Sequence, residues 1–167
     1  MKTLLLVGGF CCLVGIMAWA FSVPPANFAG TWIRDNNKVE GMKAPLPDLA
    51  WTITQDDKQI SIKPTAGPED VYNLDGTQTI TEANDSHPPK TYTRRAKWLN
   101  DGKILELTKV SVSRGDVVTK PITLIIRDQL ELADSGNRLK VYRTVEARQE
   151  AITLNFQEIR FTFYKRV

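Results

Sequence analysis

Past residue 20 this 167-residue chain has no cysteine and a single histidine, and no stretch of it carries a marked surplus of one charge. Each absence removes a class of chemistry. With Cys11 and Cys12 confined to the first segment, the body of the protein has neither a disulfide framework nor a cysteine nucleophile. His87 stands in Asp85-Ser86-His87-Pro88-Pro89 with no second histidine or cysteine nearby, so neither a metal site nor a Ser-His-Asp or Cys-His relay can be assembled around it. It reads as a surface residue. Lysine and arginine number 22 against 19 aspartates and glutamates, interspersed along the chain, which argues against a nucleic-acid footprint. No glycine-rich phosphate loop occurs. The adjacent acidic pairs Asp56-Asp57 and Glu69-Asp70 would point to opposite faces of a strand and make poor acid/base couples. No catalytic set, metal site or cofactor motif is expected, and the chain reads as a non-enzyme.

What is present begins with a leader. Lys2 supplies a short positive region, residues 4–19 run without a charge, and Ala18-Trp19-Ala20 offers small residues where a leader peptidase reads. This predicts a signal peptide over residues 1–20 with cleavage before Phe21, and hence export to the periplasm or beyond, with no stable membrane insertion afterwards. An uncleaved anchor is the alternative, although the run is short for a span of about 20 residues. Residues 21–27, with Pro24-Pro25, form an extended lead-in. Residues 28–167 are then one domain of ordinary size. Asn84-Asp85-Ser86 matches a glycosylation sequon, meaningful only in a eukaryotic secretory route.

The domain shows strand periodicity throughout and no long helical pattern. Strands are predicted over residues 28–35, 50–55, 59–63, 69–74, 77–81, 91–99, 103–113, 118–132, 138–145 and 159–166. The turns between them include Asp56-Asp57-Lys58, Asp75-Gly76 as the strongest hairpin signal, Asn100-Asp101-Gly102, Arg114-Gly115-Asp116 and Asp134-Ser135-Gly136-Asn137. Ile122, Leu124, Ile126, Leu130 and Leu132 share one parity, giving a buried and a wet face, while Pro121 suggests an edge or bulge. About eight to ten antiparallel strands joined by short loops predict an up-and-down β-barrel, because closure removes edges that would template aggregation. A membrane barrel is disfavoured, since the predicted strands between residues 50 and 81 fall short of the roughly 9–11 residues that a spanning strand needs.

Phe28-Ala29-Gly30-Thr31-Trp32 at the first strand and Tyr164-Lys165-Arg166 at the last resemble the calycin superfamily of lipocalins, fatty-acid-binding proteins and avidins. The layout is also similar to a broad, uncharacterised set of exported bacterial proteins. The resemblance implies a lipocalin-like barrel closed at one end, with Gly30 allowing close approach and a C-terminal cation, Arg166 in preference to Lys165, stacked on Trp32. The chain departs from the fatty-acid-binding branch in carrying Thr162 two places before Tyr164, where that branch has arginine. Residues 36–48 are too short for that branch's two-helix lid, and the disulfides of secreted lipocalins are missing.

The candidate ligand-binding residues are Trp51, Tyr72, Tyr92, Arg94 and Trp98. Tyr92, Arg94, Ala96 and Trp98 share a face; turned inward, Arg94 would orient an anionic head group between two aromatics. The alternative is an Arg94 that faces solvent or pairs with Glu106. The expected function is non-catalytic binding of a small apolar or amphipathic molecule inside a monomeric barrel, without cofactor. The competing reading is an envelope protein–protein interaction module with a filled core, contacting its partner through residues 36–48 and 82–89.

Overall fold

The computed structural model describes residues 24–36, 39–41, 49–84, 88–114 and 120–166. The expected leader and its cleavage point, His87, the Gly115-Asp116 reversal and most of residues 36–48 lie outside them.

The alternating segments fold into ten strands: β1 (Gly30–Arg34), β2 (Ala50–Gln55), β3 (Gln59–Pro64), β4 (Asp70–Asn73), β5 (Thr79–Ala83), β6 (Lys90–Leu99), β7 (Ile104–Ser113), β8 (Ile122–Ala133), β9 (Arg138–Gln149) and β10 (Ile152–Lys165). One antiparallel sheet runs β4-β3-β2-β1-β10-β9-β8-β7-β6-β5. The expected all-β up-and-down barrel is what the chain forms. It is nearly closed, because β1 pairs with β10 while β4 and β5 end the order without a ladder between them.

Side-chain charges tighten the turns. The Asp56 carboxylate accepts the Lys58 and Gln59 amides at 2.8 and 2.7 Å, and these bonds hold its pKa below the ordinary aspartate value. Asp75 accepts the Thr77 amide at 2.8 Å beside Gly76, whose φ is 83°. That turn reverses the chain as its residues predict, yet the expected hairpin does not follow: β4 pairs with β3, and β5 pairs with β6. The strands splay because β4 has only four residues; across the seam the Thr79 hydroxyl of β5 donates to the Val71 carbonyl at 3.5 Å, and Asp70 of β4 reaches to Arg94 of β6.

Two further expectations need correcting. Pro121 precedes β8 rather than interrupting it. β9 and β10 run on through residues 146–149 and 152–158, which the sequence pattern left unassigned, and the register slips at Leu154. That bulge breaks the alternation by which the strand would have been read. The barrel is consequently uneven. β1 to β5 have 4 to 6 residues each, and β6 to β10 have 10 to 14.

Candidate functional site

The inward faces divide the barrel into an apolar end and a charged end. At the apolar end Phe28, Trp32, Ile53, Ile60, Leu105, Leu130, Leu139 and Phe163 are fully or almost fully buried. The Trp32 indole Nε1–H donates to the Phe28 carbonyl at 2.8 Å, and Phe28 stacks on Trp98 with ring centres 6.2 Å apart. Gly30 is required beside them: its φ is 142°, and a Cβ there would lie 3.0 Å from Lys165 Cε. Lys165 sits in that place because its ammonium lies 5.7 Å from the centre of the Trp32 ring. The cation over the indole is thus Lys165, where the sequence favoured Arg166; Arg166 instead ties the closure through its amide, which donates to Thr31 O at 2.8 Å.

At the other end, inward positions of five strands carry charge. Arg94 on β6 and Lys109 on β7 are direct cross-strand partners, an arrangement that would repel on its own. Asp70 resolves it from across the seam. Its carboxylate accepts Arg94 Nε at 2.7 Å and Lys109 Nζ at 2.8 and 2.7 Å. Asp128 on β8 and Arg143 on β9 form a second cross-strand pair, bidentate at 2.6 and 2.7 Å. The Arg143 guanidinium also lies 5.8 Å from the Trp51 ring centre and 5.5 Å from that of Phe161. Burial works against its charge, and the Asp128 carboxylate more than offsets this, so its pKa stands above the ordinary arginine value.

Tyr72 shares the inward face of β4 with Asp70. Burial first, and then the negative charges of Asp70 and Asp128, push its phenol well above the usual value of 10, so it is a neutral donor. In the unfolded chain the phenol loses its proton near pH 10 while the folded protein retains it. Tyr72 therefore contributes stability that is present below pH 10 and lost as pH rises further. Chemical denaturation of the wild type should show stability falling above pH 10 more steeply than in Tyr72→Phe; equal slopes would mean that Tyr72 is not buried as described.

These groups surround a cavity of about 280 Å³, with Trp51, Ile62, Leu107 and Ile126 as its apolar wall and Asp70, Tyr72, Lys109, Asp128 and Arg143 as its polar one. Ala66, Gly67 and Pro68 form part of its rim. The expected lining is only partly brought together. Trp51 and Tyr72 line the cavity. Arg94 points inward but is neither solvent-facing nor paired with Glu106; it backs the site through Asp70, and Glu106 accepts from Gln129 at 2.9 Å. Tyr92 lies beyond, with Arg94 and Lys109 over its ring at 5.5 and 5.2 Å. Trp98 belongs to the apolar plug. Lys109, Asp128 and Arg143 went unread and Asp70 was read only as half of an adjacent acidic pair, although each is a charge at an inward parity position of its strand.

No family model matches the chain, and no curated protein does. Among solved structures it is similar to the zebrafish ileal bile acid-binding protein complexed with cholic acid, with a TM-score of 0.51 and 12% identity, covering 83% of this chain and 98% of that one. The fold is calycin-like. At that identity the likeness speaks for the fold alone, and the cavity's own groups must carry any functional reading. Among the described residues no helix is long and apolar enough to cross a membrane, and no cluster of metal-binding side chains occurs.

Proposed function

We propose that the protein is an exported, non-catalytic carrier that holds one small amphipathic anion in its barrel. The observation that carries this reading is the cavity wall. Lys109 and Arg143 on the wall, with Arg94 behind Asp70, meet two carboxylates, Asp70 and Asp128, so the cluster beside Trp51, Ile62, Leu107 and Ile126 carries one more positive charge than negative. A barrel filled only by its own side chains would gain more from apolar residues of the same volume, since burying ion pairs seldom adds stability. An acid group placed against Lys109 and Arg143 would use the surplus, with Tyr72 donating and the apolar body lying on Trp51. A cavity of about 280 Å³ suits a head group and a short body, near the lower end of ordinary ligand pockets. The cholic acid held by the similar zebrafish protein is likewise an amphipathic acid. The leader of residues 1–20 would deliver the carrier to the periplasm or the medium.

The test is a fluorescence titration with an anilinonaphthalene sulfonate and with its uncharged analogue, on protein whose N-terminus is sequenced and expected to begin at Phe21. The sulfonate should bind saturably and more tightly than the analogue. Lys109→Met, which leaves Asp70 paired with Arg94, should weaken it by at least about tenfold, the worth of one charged hydrogen bond. Absence of saturable binding, or equal binding by Lys109→Met, would overturn the reading.

A further inference from the structure

Tyr72 is only 5% exposed and lines the cavity, yet among the described residues nothing accepts a hydrogen bond from its phenol. A hydroxyl so buried ordinarily has a partner. Two further donors of the same wall are unspent. The Lys109 ammonium has three N–H groups, of which the oxygens of Asp70 use two at most. Arg143 gives Nε and Nη2 to Asp128, and its Nη1 makes no hydrogen bond to a described residue. One acid group in the cavity would supply the acceptors that all three lack.

The charges around that position almost balance. Arg94 on β6, Lys109 on β7 and Arg143 on β9 meet Asp70 on β4 and Asp128 on β8, which leaves a single positive charge over. The neighbouring strands add no charge to the wall: β2 and β3 present Trp51 and Ile62, and Phe161 of β10 packs against the Arg143 guanidinium. Arg34 on β1 stands outside the wall, 5.7 Å from the Phe161 ring centre and bonded to Asn36 at 2.9 Å.

We propose that this cavity takes a head group of one negative charge and rejects one of two, with Asp70 and Asp128 as the residues that set the limit. The inference rests on the carrier reading above and names the class of acid: a carboxylate, sulfate or sulfonate, and not a phosphate monoester. A single charge neutralises the excess of the cluster and takes up the three donors. A second charge would stand uncompensated in a largely buried site beside two carboxylates, so lost solvation and like-charge repulsion both count against it. Specificity then comes from the repelling groups as much as from the attracting ones. Asp70 is the sharper of the two, because its carboxylate lies against the same Lys109 ammonium that the ligand must touch.

Isothermal titration calorimetry at about pH 8 with hexyl sulfate and hexyl phosphate compares one charge with two on the same short body, since the second phosphate proton leaves near pH 6. The wild type should bind the sulfate at least about tenfold more tightly than the phosphate. Asp70→Asn keeps the shape of the side chain and an oxygen for Arg94 and Lys109, and raises the charge of the cluster by one. It should bind the phosphate at least about tenfold more tightly than the wild type does, a gain that mere loosening of the structure does not produce. If its circular dichroism departs from that of the wild type, Asp128→Asn makes the same change of charge and should give the same gain. Saturable sulfate binding with the phosphate bound equally or more tightly by the wild type overturns the charge limit and leaves the carrier reading intact. A phosphate affinity unmoved by the substitution overturns the limit as well. If neither probe binds the wild type, the carrier reading fails and the limit fails with it.

Discussion

Asp128→Ala is expected to lower the unfolding free energy by about 3 kcal/mol, the low end of the range for orphaning one member of a buried ion pair. The low end applies because Arg143 keeps 26% of its side chain accessible. The substitution removes both bonds that hold the guanidinium at 2.6 and 2.7 Å and leaves a cation between Trp51 and Phe161 with no bonded carboxylate. Asp128→Leu combined with Arg143→Met should recover most of the loss, because the shape is retained and the desolvation of both charges disappears. That double variant should also bind the sulfonate probe poorly, separating what the pair does for binding from what it does for stability. Urea denaturation of the wild type, Asp128→Ala and the double variant at pH 7 measures the stability changes. A cost below about 1 kcal/mol for Asp128→Ala would mean the pair is screened like a surface bridge and the charged end is open to bulk water.

The second large effect lies at the opposite end. Trp32→Ala should cost about 3–5 kcal/mol, the usual price of emptying a buried tryptophan site. Trp32 is wholly inaccessible, lies in the strand between β2 and β10, and its indole is the donor to the Phe28 carbonyl. Trp32→Phe should fall between, since it keeps most of the volume but removes the donor, at a cost of about 1–3 kcal/mol for an unsatisfied buried acceptor. Probe affinity measured on the fraction that remains folded should not change, because Trp32 is absent from the cavity wall. If Trp32→Ala unfolds at nearly the wild-type urea concentration, the apolar plug is not what holds this end together.

Much of the fold was legible in the residues. Ala50–Gln55 was read to the residue, and the other early strands shifted by a position or two, because β-branched residues alternate there between clear turn signals. The Asp75-Gly76 turn misled for a physical reason: a turn residue specifies reversal, while pairing depends on the length of strand that follows, and β4 is too short to impose a ladder. The outer halves of β9 and β10 escaped because Ile152, Leu154 and Phe156 are exposed and a bulge interrupts their parity, so no buried face was there to be recognised. The site was half visible. Reading for apolar parity passed over Asp128 between Ile126 and Leu130, and over Arg143 between Val141 and Val145, although a charge on the apolar face of a strand is itself the signal of an interior polar site. The partner of Arg94 could not be read in advance, since Asp70 reaches it across a seam where no backbone register applies.

β1 lies between β2, its successor in the chain, and β10, the last strand described. Every other ladder joins sequence neighbours and can form as soon as both strands exist, whereas this one must wait for the whole domain. Until then the apolar side chains of β1 and β2 have nothing to close against, so the earliest part of the domain to emerge from the ribosome is among the last to be buried. A chain with that order of events keeps its first strands uncovered until synthesis of the domain is nearly finished, and the final strand works as the latch that ends that exposure.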